Sequence, residues 1–106
     1  MTSPIPLRSG LRIDAERIAG FCRRWRVRQL ALFGSALRED FGPGSDVDVL
    51  VDLEPGHGLT LFDWTDMIEE LQAIFGRPVD LVSRTGLKNP FRRREILRTA
   101  QVIHAA

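Results

Sequence analysis

With 106 residues the chain is long enough for one compact core and too short for a separate substrate domain. Its 43% hydrophobic and 27% charged residues are ordinary for a soluble globular domain, and a single cysteine, Cys22, excludes an internal disulfide and agrees with a reducing compartment. The net charge of +1 conceals a strong pattern: positions 1–38 carry eight arginines against two acids, positions 39–80 eleven acids against one arginine, and positions 81–106 six basic residues against one acid. An acidic middle between basic ends suits a bound cation meeting a polyphosphate; it equally suits solvated helix faces balanced across the molecule. The opening residues lack the charged-then-apolar layout of a signal peptide, and no apolar run is long enough to cross a bilayer, so the expected location is the cytoplasm and no membrane partner is expected.

In chain order, residues 1–12 contain Pro4, Pro6 and Gly10 and read as a loose arm, leaving residues 13–106 as the folded domain. Asp14 is placed to cap a first helix in which Ile18, Phe21, Cys22 and Trp25 recur at helical spacing. Arg23, Arg24, Arg26 and Arg28 then fall on its outer side or just past its end. The run Val27 to Phe33 reads as a first strand that stops at Gly34-Ser35, and Ala36 to Phe41 as a short helix. Gly42-Pro43-Gly44-Ser45 is turn punctuation. From Asp46 to Leu53 the chain alternates, with Val47, Val49, Val51 and Leu53 facing one way and Asp46, Asp48, Leu50 and Asp52 the other. After the loop Pro55 to Gly58, Thr60 with Asp63 forms a capping box in which Asp replaces the usual Glu. Leu61, Trp64, Ile68, Leu71 and Phe75 mark the apolar face of a long second helix, ended by Gly76 and Pro78. Val79 to Val82 is a third strand, Asn89-Pro90 opens a last helix bearing Arg92, Arg93, Arg94 and Arg98, and Val102-Ile103 can add a further strand. This order gives an α/β (α+β) domain on a small sheet of three to four strands flanked by helices.

Three features on adjoining strand ends carry chemistry. Gly34-Ser35 lets the backbone turn sharply and brings free amides close to a phosphate, although a Gly-Ser turn at a helix start is by itself commonplace. Asp46-x-Asp48 puts two carboxylates on one face of a strand, with Cβ atoms about 7 Å apart. Such a pair repels unless a cation sits between, and magnesium suits it because it keeps positions open for water and phosphates. Asp46 can also be a simple turn cap. Asp80 interrupts the apolar run Val79-Asp80-Leu81-Val82; beside the second strand it can join the other acids, ligate the metal and accept a proton, whereas on a solvent-facing edge it has no such part.

The stretch Leu32-Phe33-Gly34-Ser35-Ala36-Leu37-Arg38, ten intervening residues from Ser35 to Asp46, and Ser45-Asp46-Val47-Asp48-Val49-Leu50-Val51 together resemble the signature of DNA polymerase β-like nucleotidyltransferases, and more closely their shortest members, the minimal nucleotidyltransferase (MNT) proteins paired with HEPN-domain partners. The similarity continues through Leu59 to Asp63, Arg77 to Val82 and the arginine-rich segment Asn89 to Arg98. It implies the polymerase β-like fold and a metal-dependent transferase that moves NMP, with ATP as the expected donor, onto a hydroxyl. Gly34, Ser35 and Arg38 would bind the nucleotide, Asp46 and Asp48 would hold two Mg2+ ions, and Asp80 matches the third acid, as catalytic residue and metal ligand. The implied partner is a HEPN-type ribonuclease toxin, silenced by adenylylation within a hetero-oligomer; the alternative is an antitoxin that covers its partner without modifying it. A small-molecule substrate is disfavoured by the lack of a second domain, and nucleic acid as a direct partner by the lack of an aromatic stacking platform. Two departures stand out. Glu39 lies where many relatives have glycine, and His104 stands near the place of a common tyrosine. The chain contains no tyrosine, so a tyrosyl acceptor must belong to another molecule.

Overall fold

The computed structural model describes residues 4–5, 13–37 and 45–105. A short antiparallel ladder joins β1 (Pro4–Ile5) to β2 (Ile13–Asp14), pairing Pro4 with Asp14 and Ile5 with Ile13. Then follow α1 (Ala15–Arg24), β3 (Val27–Phe33), a 3-10 turn (Gly34–Leu37), β4 (Val47–Leu53), α2 (Leu61–Phe75), β5 (Val79–Ser83), a second 3-10 turn (Arg84–Gly86), α3 (Pro90–Thr99) and β6 (Gln101–Ala105). The main sheet has the order β5-β4-β3-β6. It is mixed: β3 is antiparallel to both β4 and β6, whereas β4 and β5 run parallel. Parallel neighbours need a crossover, and α2 supplies it.

Local chemistry sets the helix ends where the sequence places them. The Asp14 carboxylate accepts from the amides of Glu16 and Arg17, and the side-chain amide oxygen of Asn89 accepts from those of Phe91 and Arg92, with Pro90 at the first helical position. Thr60 and Asp63 close a reciprocal capping box, so the shorter Asp replaces Glu without loss of either bond. Gly76 ends α2 in the left-handed conformation, at φ 69°. The expected short helix from Ala36 to Phe41 is a 3-10 turn as far as Leu37; its remainder, residues 38–41, lies outside the described residues.

Both faces of the sheet are covered, which explains the unbroken apolar run Leu30 to Phe33 in β3. On one face Leu30, Leu32, Val47, Val49, Val51 and Leu81 pack against Ile18, Phe21 and Cys22 of α1 and Met67, Leu71 and Phe75 of α2. On the other, Ala31, Phe33 and Leu50 meet Leu87 and Ile96. Each fully buried aliphatic side chain contributes about 1.5–3 kcal/mol, so the first and larger cluster dominates stability. Glu70 ties α1 to α2, accepting from Trp25 Nε1 at 2.9 Å and from the Arg24 guanidinium. Burial pushes the Cys22 thiol up to about 12, consistent with an inert core position. One expected core residue is displaced: Leu61, in the first turn of α2, is 81% exposed, and Met67 fills the core instead.

Candidate active site

The β-ladder brings together acids far apart in sequence. Asp48 is the direct partner of Asp80 in the parallel β4–β5 register, with adjacent strands about 4.8 Å apart. Alternation places both on the face shared with Leu50 and Val82, the α3 side of the sheet. Asp46 precedes β4 by one residue and shares the parity of Asp48. Asp46 and Asp80 are exposed and Asp48 is half-buried. Two bonds fix this end: the Val47 amide donates to the Pro78 carbonyl at 2.9 Å, and the Val79 amide donates to Gln72 Oε1 of α2 at 3.1 Å. The starts of β4 and β5 are thereby held level.

Gly34 completes the arrangement from the third strand. Phe33, the last residue of β3, pairs with Asp48, so the chain turns at Gly34 directly beside that carboxylate. Gly34 adopts φ 61°, and a Cβ there would stand 2.4 Å from Asp48 Oδ2. Both the backbone conformation and the space therefore require glycine. Ser35 follows in the same 3-10 turn, and Arg38 lies outside the described residues.

Among the described residues no three His, Cys, Asp or Glu side chains converge tightly enough to cage a metal ion. The sheet instead presents an open row of carboxylates. That donor set fits magnesium, which takes one or two protein carboxylates and leaves its other positions to water and substrate phosphates, better than it fits an all-protein calcium or zinc site.

One buried charged residue escaped the sequence reading. Asp52, on the same face of β4 but two alternations further on, is 6% exposed and pairs with Arg28 at 2.9 Å and Arg84 at 3.5 Å. The alternation does put Asp52 on the face of Asp48. Nothing in it shows that Arg28 and Arg84, the latter from the Arg84–Gly86 turn, close over Asp52 while Asp48 stays half-buried.

The nucleotidyltransferase domain family matches residues 16–103, and the chain belongs to that family. The protein adenylyltransferase MntA of Thermococcus cleftensis is 41% identical over 66 residues, spanning 62% of this chain and 65% of that protein. A solved structure described as "putative minimal nucleotidyltransferase" is 34% identical, covers 82% of this chain and 86% of its own, and superposes with a TM-score of 0.68. The fold recurs, at 16% identity and a TM-score of 0.59, in the complex of tri-AMPylated Shewanella oneidensis HEPN toxin with MNT antitoxin, over 87% of this chain and 70% of that one. The polymerase β-like topology expected from the sequence, a mixed sheet of four strands with flanking helices, is thus the observed one. No helix among the described residues is long and apolar enough to cross a membrane.

Proposed function

We propose that this chain is a cytoplasmic antitoxin that transfers AMP from ATP onto a hydroxyl of a HEPN-type toxin, within a complex of the two proteins. The observation that carries the reading is the side-by-side register of Asp48 and Asp80 beside the Gly34 turn. It is supported by the name of the Thermococcus relative, a protein adenylyltransferase, and by the recurrence of the fold in a complex whose toxin is AMPylated. Residues 13–106 form the transferase domain.

Asp46, Asp48 and Asp80 would hold two magnesium ions. When bound, these supply positive charge that offsets the charge growing on the leaving pyrophosphate. Everything else falls to the chain. Gly34, lacking a side chain, lets the triphosphate approach the backbone of the Gly34–Ser35 turn, and Arg38 adds a phosphate contact. Asp80 accepts the proton of the acceptor hydroxyl as its oxygen bonds to the α-phosphorus and the bond to the pyrophosphate oxygen breaks. The acceptor is brought by the partner, because the domain is too small to enclose one.

The test mixes the purified chain with ATP, magnesium and a HEPN-type toxin from the same source, and reads AMP addition by intact mass. Replacing both Asp46 and Asp48 with Ala is expected to lower transfer by about 10³-fold or more, the scale of losing preorganised electrostatic stabilisation. No AMP addition by the wild-type chain would overturn the enzymatic reading. A double variant that still neutralises the toxin in cells would assign neutralisation to binding alone.

A further inference from the structure

The end of β4 opposite the acids holds a second charged constellation. The β3–β4 register shifts between Val27 and Gln29, a bulge that leaves Arg28 as the additional residue. Bulges re-aim a side chain, and here Arg28 reaches Asp52, donating to Oδ2 through Nε at 3.3 Å and Nη2 at 2.9 Å. Arg84, from the turn after β5, approaches the same oxygen at 3.5 Å. Beside them lies a cleft of about 450 Å³ lined by Arg28, Asp52, Arg84, Thr85 and, from α3, Arg93. The side chains of Arg28 and Arg84 are 54% and 38% exposed, so both guanidiniums reach the solvent side of the cleft while the carboxylate, at 7%, is sealed beneath them.

We propose that this cleft binds a phosphate dianion. A buried carboxylate is neutralised by one guanidinium, and Arg28 already makes two bonds to it. Bringing a second and a third cation to the same place costs mutual repulsion that the fold does not need for neutralisation. Among the residues lining the cleft three guanidiniums face one carboxylate, two positive charges in excess, which a dianion matches and a lone carboxylate does not; Glu54 lines the adjoining hollow. Each guanidinium presents five donors in a planar fork suited to oxyanions, more than the two oxygens of Asp52 can receive. Asp52 acts here as a positioning residue, fixing Arg28 and Arg84 from below, and the Thr85 hydroxyl, hydrogen-bonded with Ser83 Oγ at 2.9 Å, lies at the rim. The cleft is four residues along β4 from Asp48, about 13 Å, with the Leu50–Ile96 contact between, so it is separate from the triphosphate position.

Backbone amide and arginine Nε–H resonances of the isotope-labelled chain, recorded in EDTA at constant ionic strength, test this. Sodium phosphate should produce saturable shifts centred on Arg28, Arg84, Thr85 and Arg93, and Arg84→Gln and Arg93→Gln should each weaken binding about fivefold or more. Arg93→Gln leaves the Arg28–Asp52 pair intact, which guards against a loss of fold. AMP binding tighter than phosphate at the same residues would identify a nucleotide phosphate as the source; phosphate binding without AMP binding would identify the free ion. Either supports the site. Shifts that do not saturate, shifts unchanged in both variants, or acetate binding as tight as phosphate would overturn it, the last pointing to a carboxylate of a partner protein instead.

Discussion

Asp48 and Asp52 stand on the same face of the same strand, and their surroundings differ in nearly every respect. Asp52 is buried beneath Arg28 and Arg84, the latter from the Arg84–Gly86 turn, with both guanidiniums against it. Asp48 is half-buried near the start of β4, level with Asp80 and one alternation from Asp46. At one end the fold surrounds a carboxylate with positive charge; at the other it gathers carboxylates together. A residue type and a strand parity therefore do not define a role. What decides it is which element covers each end of the sheet.

The contrast can be broken first at the acids. Asp80→Asn keeps the shape and removes the proposed proton acceptor, and should lower AMP transfer by about 10²–10⁴-fold, read by single-turnover kinetics with a HEPN-type toxin. Because the variant relieves like-charge crowding, its urea midpoint should not fall. A clear loss of stability with full activity would mean that Asp80 is a structural residue. Asp52→Ala should behave in the opposite way, since it strands Arg28 and Arg84 against one another. Both are partly hydrated, so the expected cost is about 1–3 kcal/mol in urea unfolding, below that of a fully buried pair.

A smaller effect sharpens the geometry between the two regions. Gly34→Ala forces a Cβ against Asp48 Oδ2 and holds alanine at φ 61°, at an expected cost of about 1–2 kcal/mol together with weakened transfer. If both properties match the wild type, Gly34 is only a turn residue. The least effect at neutral pH comes from the face packed on α1 and α2. The Cys22 thiol is raised from 9.0 to about 12 by burial, so the folded state favours the neutral form. That contribution is complete below pH 9 and is lost as pH rises from about 9 towards 12, at about 1.4 kcal/mol per unit. Urea midpoints across this range should fall in the wild type, and Cys22→Ala should flatten the part owed to the thiol.

Much of this was legible because local chemistry and tertiary structure agree. Val27–Phe33 is a strand over the span its apolar run marks, and Asp14, Thr60 and Asn89 cap the helices they precede. Asp80 was legible as an anomaly in an apolar strand, and the register with Asp48 supplies the reason. Arg28 was not: a bulge depends on how two strands pair, and the β3 sequence alone reads through it. Leu61 misled because helical periodicity continues past the point where the helix has anything to lie on. The burial of Asp52 depends on Arg28 and Arg84, which a bulge and a turn after β5 bring to it, and no spacing rule encodes either.

The parallel crossover has one more consequence. Because α2 runs back to start β5, it ends at Gly76, four residues from Asp80, and so delivers its carbonyl end to the acid-bearing edge. A helix macrodipole places about half a negative charge there. The 3-10 turn after Gly34 is only four residues long and gives little opposing field. Many phosphate sites are prepared by a helix N-terminus; at the proposed one the carboxylates and the carbonyl end of α2 would together oppose a polyphosphate until cations arrive. Nucleotide binding should therefore be conditional on divalent metal rather than merely improved by it, and the metal should load before the nucleotide or together with it. Isothermal titration of ATP into the chain with and without magnesium reads this directly: measurable ATP affinity in EDTA would mean that the field at this edge is not the one the acids and α2 set up.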